Sequence, residues 1–292
     1  MTGYEVNKNT GIIKKISEFS WGRLIGRILI IIFITSVVLP LLWTIMTSFK
    51  TTMEFYTNPF GLPQAVKFDN YIRAWTKAKV GTYFFNSIFI TLITVTLNVT
   101  LCSMAAYVLA RYKFFGNKIL TSLFLSGLMV PQIFMTIPSF IMLSNLSLLD
   151  RWPGLIAIML VNLFPFAIFL LIGFFKTLPR EIEESAKIDG ANDYQVYFKI
   201  MFPLAKPGWM TIIIFNFISV WNNYIDPLVY LTTDSKRTLP VGLMNLSSVA
   251  EYDSDWGALF SGLVIIMLPS LLIYSIFSEQ LIQGMTAGSV KG

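Results

Sequence analysis

No histidine occurs anywhere in the 292 residues, and there is one cysteine, Cys102. The first absence removes imidazole metal sites, imidazole general bases and histidine-based triads. The second removes any intrachain disulfide. Charge is also scarce: Asp, Glu, Lys and Arg make up 13% of the chain. A soluble domain of this length carries about twice that share. No G-x-x-x-x-G-K-[ST] segment is present, so the chain has no P-loop for a nucleotide.

Apolar residues fill the space. They make up 55% of the chain, and mean hydropathy is +0.66. They collect in stretches of about twenty residues, the length of helix that crosses a hydrocarbon core of about 30 Å. The pattern predicts an all-α polytopic membrane protein with six spans: Ile28–Thr47, Phe84–Ala110, Ile119–Leu143, Leu155–Phe175, Trp209–Leu231 and Ala258–Phe277. The first run is too long for a signal-peptide core and has no small-x-small site after it, so it reads as a retained span. Of 22 basic residues, 14 fall in the N-terminal segment, the Arg111–Lys118 loop, the Lys176–Lys206 loop and the tail. The positive-inside rule puts those segments, and both termini, in the cytoplasm. The net charge of +6 needs no nucleic acid, because the basic residues flank the spans. Residues 1–27 are then a cytoplasmic segment, 28–278 the membrane domain and 279–292 a cytoplasmic tail. The outer segment Thr51–Tyr83, with Phe68, Tyr71 and Trp75 among polar residues, suits a short helix on the membrane surface.

The loop over residues 177–208 is the most informative stretch. Pro179 can open a helix, and Glu181, Glu183 and Glu184 suit the positive end of its dipole. Gly190 stops it in a left-handed conformation. Asn192 or Asp193 can cap a second short helix, where Tyr194, Tyr197, Phe198 and Met201 repeat at helical spacing. Pro203 and Pro207 lead into the fifth span. The residues alone leave two readings open. One is an amphipathic hairpin resting on the bilayer or on its own bundle. The other is a docking element for a cytoplasmic partner.

Glu184-Ser185-Ala186, Asp189-Gly190-Ala191 and Ile200-Met201-Phe202-Pro203 resemble the EAA loop of ABC importer permeases, with Ser185 where alanine is usual. Val130-Pro131-Gln132 and Ile137-Pro138-Ser139-Phe140 resemble the third span of the carbohydrate-importing branch. Trp221-Asn222-Asn223-Tyr224 with Pro227-Leu228 resembles its fifth. The ending, from Gly284 through Thr286 and Gly288 to Gly292, resembles the tail of maltose-type six-span subunits. The resemblance implies a type I ABC importer permease fold, a second permease subunit, two ATPase subunits and an extracytoplasmic sugar-binding protein. ATP and Mg would be bound by the ATPases, and this chain would need no cofactor and perform no catalysis. It further implies that Glu184, Ser185, Ala186, Asp189, Gly190, Ala191 and Pro203 couple to an ATPase. The tail at Gly284, Thr286 and Gly288 would reach between the ATPase subunits, although three glycines argue against a helix there.

For the sugar path, Trp221, Asn222, Asn223, Tyr224 and Asp226 cluster in the fifth span. Amides suit hydroxyls and aromatic faces suit sugar rings. The same residues would also serve as glue between helices. Asn98 and Asn162 read as packing polars, and Pro131, Pro138 and Pro165 as kinks or breaks. Rival classes are an ABC permease for another solute, an ion-coupled secondary transporter and a membrane-embedded enzyme. The last two lack, respectively, a visible repeat with intramembrane charges and a cluster of catalytic groups.

Overall fold

The computed structural model describes residues 21–253 and 255–287. The segment 1–20, Gly288 and the residues after it lie outside that range. In chain order the helices are α1 Trp21–Thr47, α2 Thr52–Thr57, α3 Asp69–Thr76, α4 Val80–Arg111, α5 Asn117–Ser126, α6 Gln132–Asn145 and α7 Trp152–Thr177. They continue as α8 Glu181–Ile188, α9 Asp193–Leu204, α10 Lys206–Trp221, α11 Ile225–Tyr230, α12 Leu239–Asp253 and α13 Trp256–Ala287.

Four stretches are long and apolar enough to cross a bilayer: Leu24–Thr47, Val80–Arg111, Trp152–Thr177 and Trp256–Phe277. Counting each of two bent pairs as one span brings the number to the expected six. The axis turns by 107° between Asn117–Met129 and Gln132–Asn145, and by 70° between Asp193–Leu204 and Lys206–Trp221. The first bend corrects the continuous third span expected over Ile119–Leu143. Val130 is extended, the conformation proline favours in the residue before it, and Pro131 opens α6. Gly127, just before the break, lies so close to α7 that a β-carbon there would stand 2.7 Å from Pro165 Cγ. Pro138 and Pro165 stay inside their helices.

The fifth span also ends earlier than Leu231. Helix α10 stops at Trp221, and α11 starts at Ile225 after three intervening residues. At the C-terminus the correction runs the other way: Gly284 and Thr286 belong to α13. An isolated glycine costs a helix only about 1 kcal/mol, which the 32-residue helix absorbs.

Helices α4 and α7 form the central pair, with α10 and α13 beside them. One core gathers Val99, Ala106, Leu171, Phe175 and Ile212, and it continues into the loop through Ala186, Val196, Tyr197 and Met201. Another lies at the opposite end, around Ile90, Leu143, Leu155, Met159 and Tyr230. Helix α1 is apolar all round and turned away from the rest, touching α13 near Trp43 and Phe260. The segment between α1 and α4 does carry a short helix, α3, as expected. Arg73 on α3 makes a bidentate pair with Asp255, at 2.8 and 2.9 Å.

Candidate functional sites

The loop between α7 and α10 is built on two caps. Helix α8 ends where the Ala191 N–H donates to the Ala186 carbonyl (3.0 Å) and the Gly190 N–H to the Lys187 carbonyl (3.1 Å). These are the two bonds of a Schellman stop. Gly190 has φ +86°, and a β-carbon there would meet nothing within 4 Å. The requirement for glycine is therefore conformational rather than spatial. Asn192 then caps α9 reciprocally. Its Oδ1 accepts from the Gln195 N–H at 2.9 Å, and Gln195 Oε1 accepts from the Asn192 N–H at 3.0 Å.

The loop residues divide by the direction they face. Glu184, Ser185, Asp189, Gly190 and Pro203 are exposed, and Ala191 is half-buried. Ile188, an apolar side chain, is 85% exposed. Ala186 is buried in the chain's own core, so its small size seats α8 on its own bundle. The expected aromatic face of α9 is split. Tyr197 and Met201 point inward, whereas Tyr194 and Phe198 are exposed. Residues Val196–Met201 form a π turn, whose extra residue per turn breaks the i, i+3 alignment and keeps i, i+4.

The seat of this loop was not visible in the sequence. Arg111, the last residue of α4, lies 2.6 Å from Glu183 with side-chain exposures of only 5% and 14%. Arg111 Nη2 also donates to the Leu178 carbonyl at 2.7 Å. Tyr107 reaches Glu183 at 3.4 Å, and the hydroxyls of Ser103 and Tyr197 bond at 2.7 Å. Further out, Lys187 pairs with Asp193 at 2.9 Å, and Tyr112 donates to Asp193 at 3.1 Å. Lys187 and then Tyr112 hold the Asp193 carboxyl below its ordinary range. A charged residue closing a 32-residue apolar helix was the available signal for Arg111; nothing local marked Glu183 as its partner.

The polar cluster expected on the sugar path is tied up in hydrogen bonds and ring contacts of its own. Trp221 is 1% exposed, stacks on Phe217 and donates from Nε1 to the Ile266 carbonyl at 3.0 Å, pinning α10 to α13. Asn222 donates to the Ile218 carbonyl of its own helix at 2.9 Å. Asn223 and Asp226 bond reciprocally at the start of α11, at 2.9 and 3.1 Å, with Tyr224 half-buried between them. A cavity of about 620 Å³ lies instead between the bend of span three, α7 and α10. Gln132, Asn162, Asn216 and Ser219 supply its polar groups, and Phe166 and Phe215 its aromatic ones. Asn162 is therefore more than a packing residue. Asn98 does pack: its Oδ1 accepts from Asn216 Nδ2 at 2.8 Å in a fully buried pair.

At the opposite end from the loop, Asp150 ties the α6–α7 turn to the segment after α11. It accepts from Lys236 Nζ (2.7 Å), Thr233 Oγ1 (2.6 Å), and the Thr233 and Thr232 N–H groups (2.9 and 3.0 Å). Lys236 and Thr233 together hold its carboxyl far below the ordinary value.

A bundle of four to six crossings with a seated, outward-presenting loop, an open, largely apolar cavity that carries a few polar groups, and no P-loop is a membrane transport component that does not bind nucleotide by that route. The chain belongs to the family of binding-protein-dependent transport system inner membrane components, whose model matches residues 98–287. The diacetylchitobiose uptake system permease protein of Streptomyces coelicolor is 38% identical over 91% of this chain and 88% of its own length. The trehalose transport system permease protein of Mycobacterium tuberculosis is 35% identical over 87% and 92%. A crystal structure of a bacterial ABC transporter involved in the import of the acidic polysaccharide alginate has a chain that superposes with a TM-score of 0.78. The match covers 94% of this chain and 99% of that one. At 24% identity it speaks for the fold alone.

Proposed function

We propose that this chain is one of the two membrane halves of an ATP-driven, binding-protein-dependent sugar importer. In this reading it works with a second permease, two ATPase subunits and an extracytoplasmic sugar-binding protein. The observation that carries the reading is the loop of α8 and α9. It is fastened to α4 by the buried Arg111–Glu183 pair, yet it leaves Glu184, Ser185, Ile188 and Asp189 free on one surface. A partner gripping that surface would move α4 with it. Sugar as cargo is supported by the diacetylchitobiose and trehalose permeases among the relatives.

Each part has its place in the mechanism. ATP and Mg sit in the ATPase subunits, whose closing would pull the loop as one piece. The pull reaches α4 through Arg111 and reaches α10 through the bend at Ala205. Helix α10 forms one wall of the cavity and the hinge at Val130-Pro131 another, so the motion would change which side the cavity opens to. The loop and both termini lie in the cytoplasm of a bacterial-type cell, and the tail beyond α13 offers a second contact to the ATPases.

Affinity purification of the tagged chain from its native membrane in a mild detergent, with mass spectrometry of the co-purified proteins, tests this. An ATPase carrying a P-loop and a second permease are expected. Both ATPase subunits should be lost, and the second permease kept, when Glu184 and Asp189 are replaced by lysine. Recovery of the chain alone would refute the assembly. Retention of the ATPases in the doubly substituted chain would refute the role of the loop.

A further inference from the structure

We propose that the cavity between the bend of span three, α7 and α10 binds uncharged sugars and rejects sugar acids. This rests on the sugar-import reading and adds the charge class of the cargo.

The polar residues among those that line the cavity are Gln132, Asn162, Asn216 and Ser219; Asn216 is 1% exposed and gives its Nδ2 to Asn98, so Gln132, Asn162 and Ser219 are the ones open to a ligand. None of them ionises, and no Lys, Arg, Asp or Glu is among the described residues that line it. Amides and a hydroxyl both donate and accept, which matches a sugar hydroxyl that does both. Phe166 and Phe215, with ring centroids 5.5 Å apart and nearly perpendicular, give apolar surface for the C–H face of a pyranose. The volume of about 620 Å³ falls within the ordinary span for small-molecule sites.

A carboxylate in the same place would meet no cation from this chain to replace the water it gives up. Burying an ion costs far more than burying a hydroxyl unless a cation or several charge-assisted donors meet it. The wall offers no cation, and the titratable side chain that adjoins it has the wrong sign. Asp226 touches Asn162 and is held by Asn223 Nδ2 at 2.9 Å. A sugar acid would therefore meet amides alone, with a carboxyl group behind one of them.

The experiment uses the intact importer in nanodiscs, with Ser219→Cys in this chain. Alkylation of that thiol by a maleimide is monitored on its own peptide by mass spectrometry. The probes are a set of neutral trisaccharides (maltotriose, cellotriose and chitotriose) and a matched set of trisaccharide uronates. At least one neutral sugar is expected to slow alkylation severalfold, and no uronate. Asn162→Lys should weaken the neutral protection and bring in protection by uronates. Protection of the Ser219→Cys importer by uronates as strong as by neutral sugars would overturn the proposal and leave sugar import standing. So would no protection by any sugar while the importer still drives ATP-dependent sugar uptake into vesicles. No sugar uptake by the unsubstituted importer would overturn the import reading itself, and this proposal with it.

Discussion

Arg111→Met should release the loop that connects the membrane helices to the outside of the bundle. The substitution keeps an unbranched apolar stem and removes the charged guanidinium at its end. Glu183, with its side chain only 14% exposed, is left as an unpaired buried carboxylate. Breaking a buried pair from one side costs about 3–5 kcal/mol. That corresponds to a shift of roughly 10² to several thousandfold in the balance between seated and detached loop, at about 1.4 kcal/mol per tenfold. The bond from Arg111 to the Leu178 carbonyl is lost as well, which adds to the effect. Hydrogen exchange of the α8 amides in nanodiscs reads this directly. Arg111→Met and Glu183→Leu should each speed exchange across Glu181–Ile188 by roughly 10²-fold or more. The double variant Arg111→Met/Glu183→Leu should return much of the way, since an apolar pair of similar volume in place of a buried ion pair is often nearly neutral. In the intact importer, each single variant should hydrolyse ATP with less sugar moved per turnover. Exchange unchanged in the single variants, or a double variant no better than the worse single, would refute the claim that this pair seats the loop.

The same contacts have other consequences. Gly190→Ala forces a β-carbon into the left-handed region and should cost about 1–2 kcal/mol; Gly190→Asn should cost less, and the difference should appear in the stability of the ATPase complex. Trp221→Phe removes the donor to the Ile266 carbonyl and should lower stability by about 1–3 kcal/mol, measured by thermal unfolding in detergent. Gly127→Ala places a methyl 2.7 Å from Pro165 Cγ, so the bend of span three must shift; reduced transport with normal assembly is the expected result, and full transport would argue that the contact is dispensable. The Asp150 carboxyl is depressed in the folded chain. Its contribution to stability is therefore complete above its unfolded value of 3.8 and is lost as pH falls below that toward the folded value. Asp150→Asn should lower stability at neutral pH and flatten that acid limb in a pH series of unfolding midpoints.

Much of this protein was legible in its residues taken one after another. Apolar runs of bilayer length and the asymmetry of Lys and Arg decide the class, because a span must satisfy its backbone locally and the cost of charge in lipid is felt residue by residue. The stop at Gly190 and the cap at Asn192 were legible for the same reason: each is completed within about five residues of chain. Proline at 131 marked a break, but not that the axis turns by 107° there, since that angle depends on Gly127 finding Pro165 across the bundle. Tertiary contacts alone decided which polar residues do what. Trp221 and Asn222 look like sugar ligands in sequence and are bound to Ile266 and Ile218, while Asn162, which reads as a packing polar, and Gln132, part of the span-three resemblance, share a cavity wall. Arg111 and Glu183 are 72 positions apart and meet only because α4 and α7 pack side by side. Periodicity and capping are properties of neighbouring residues, whereas the partner of a buried polar group is chosen by the packing of helices far apart in the chain, and that is written in no local stretch of sequence.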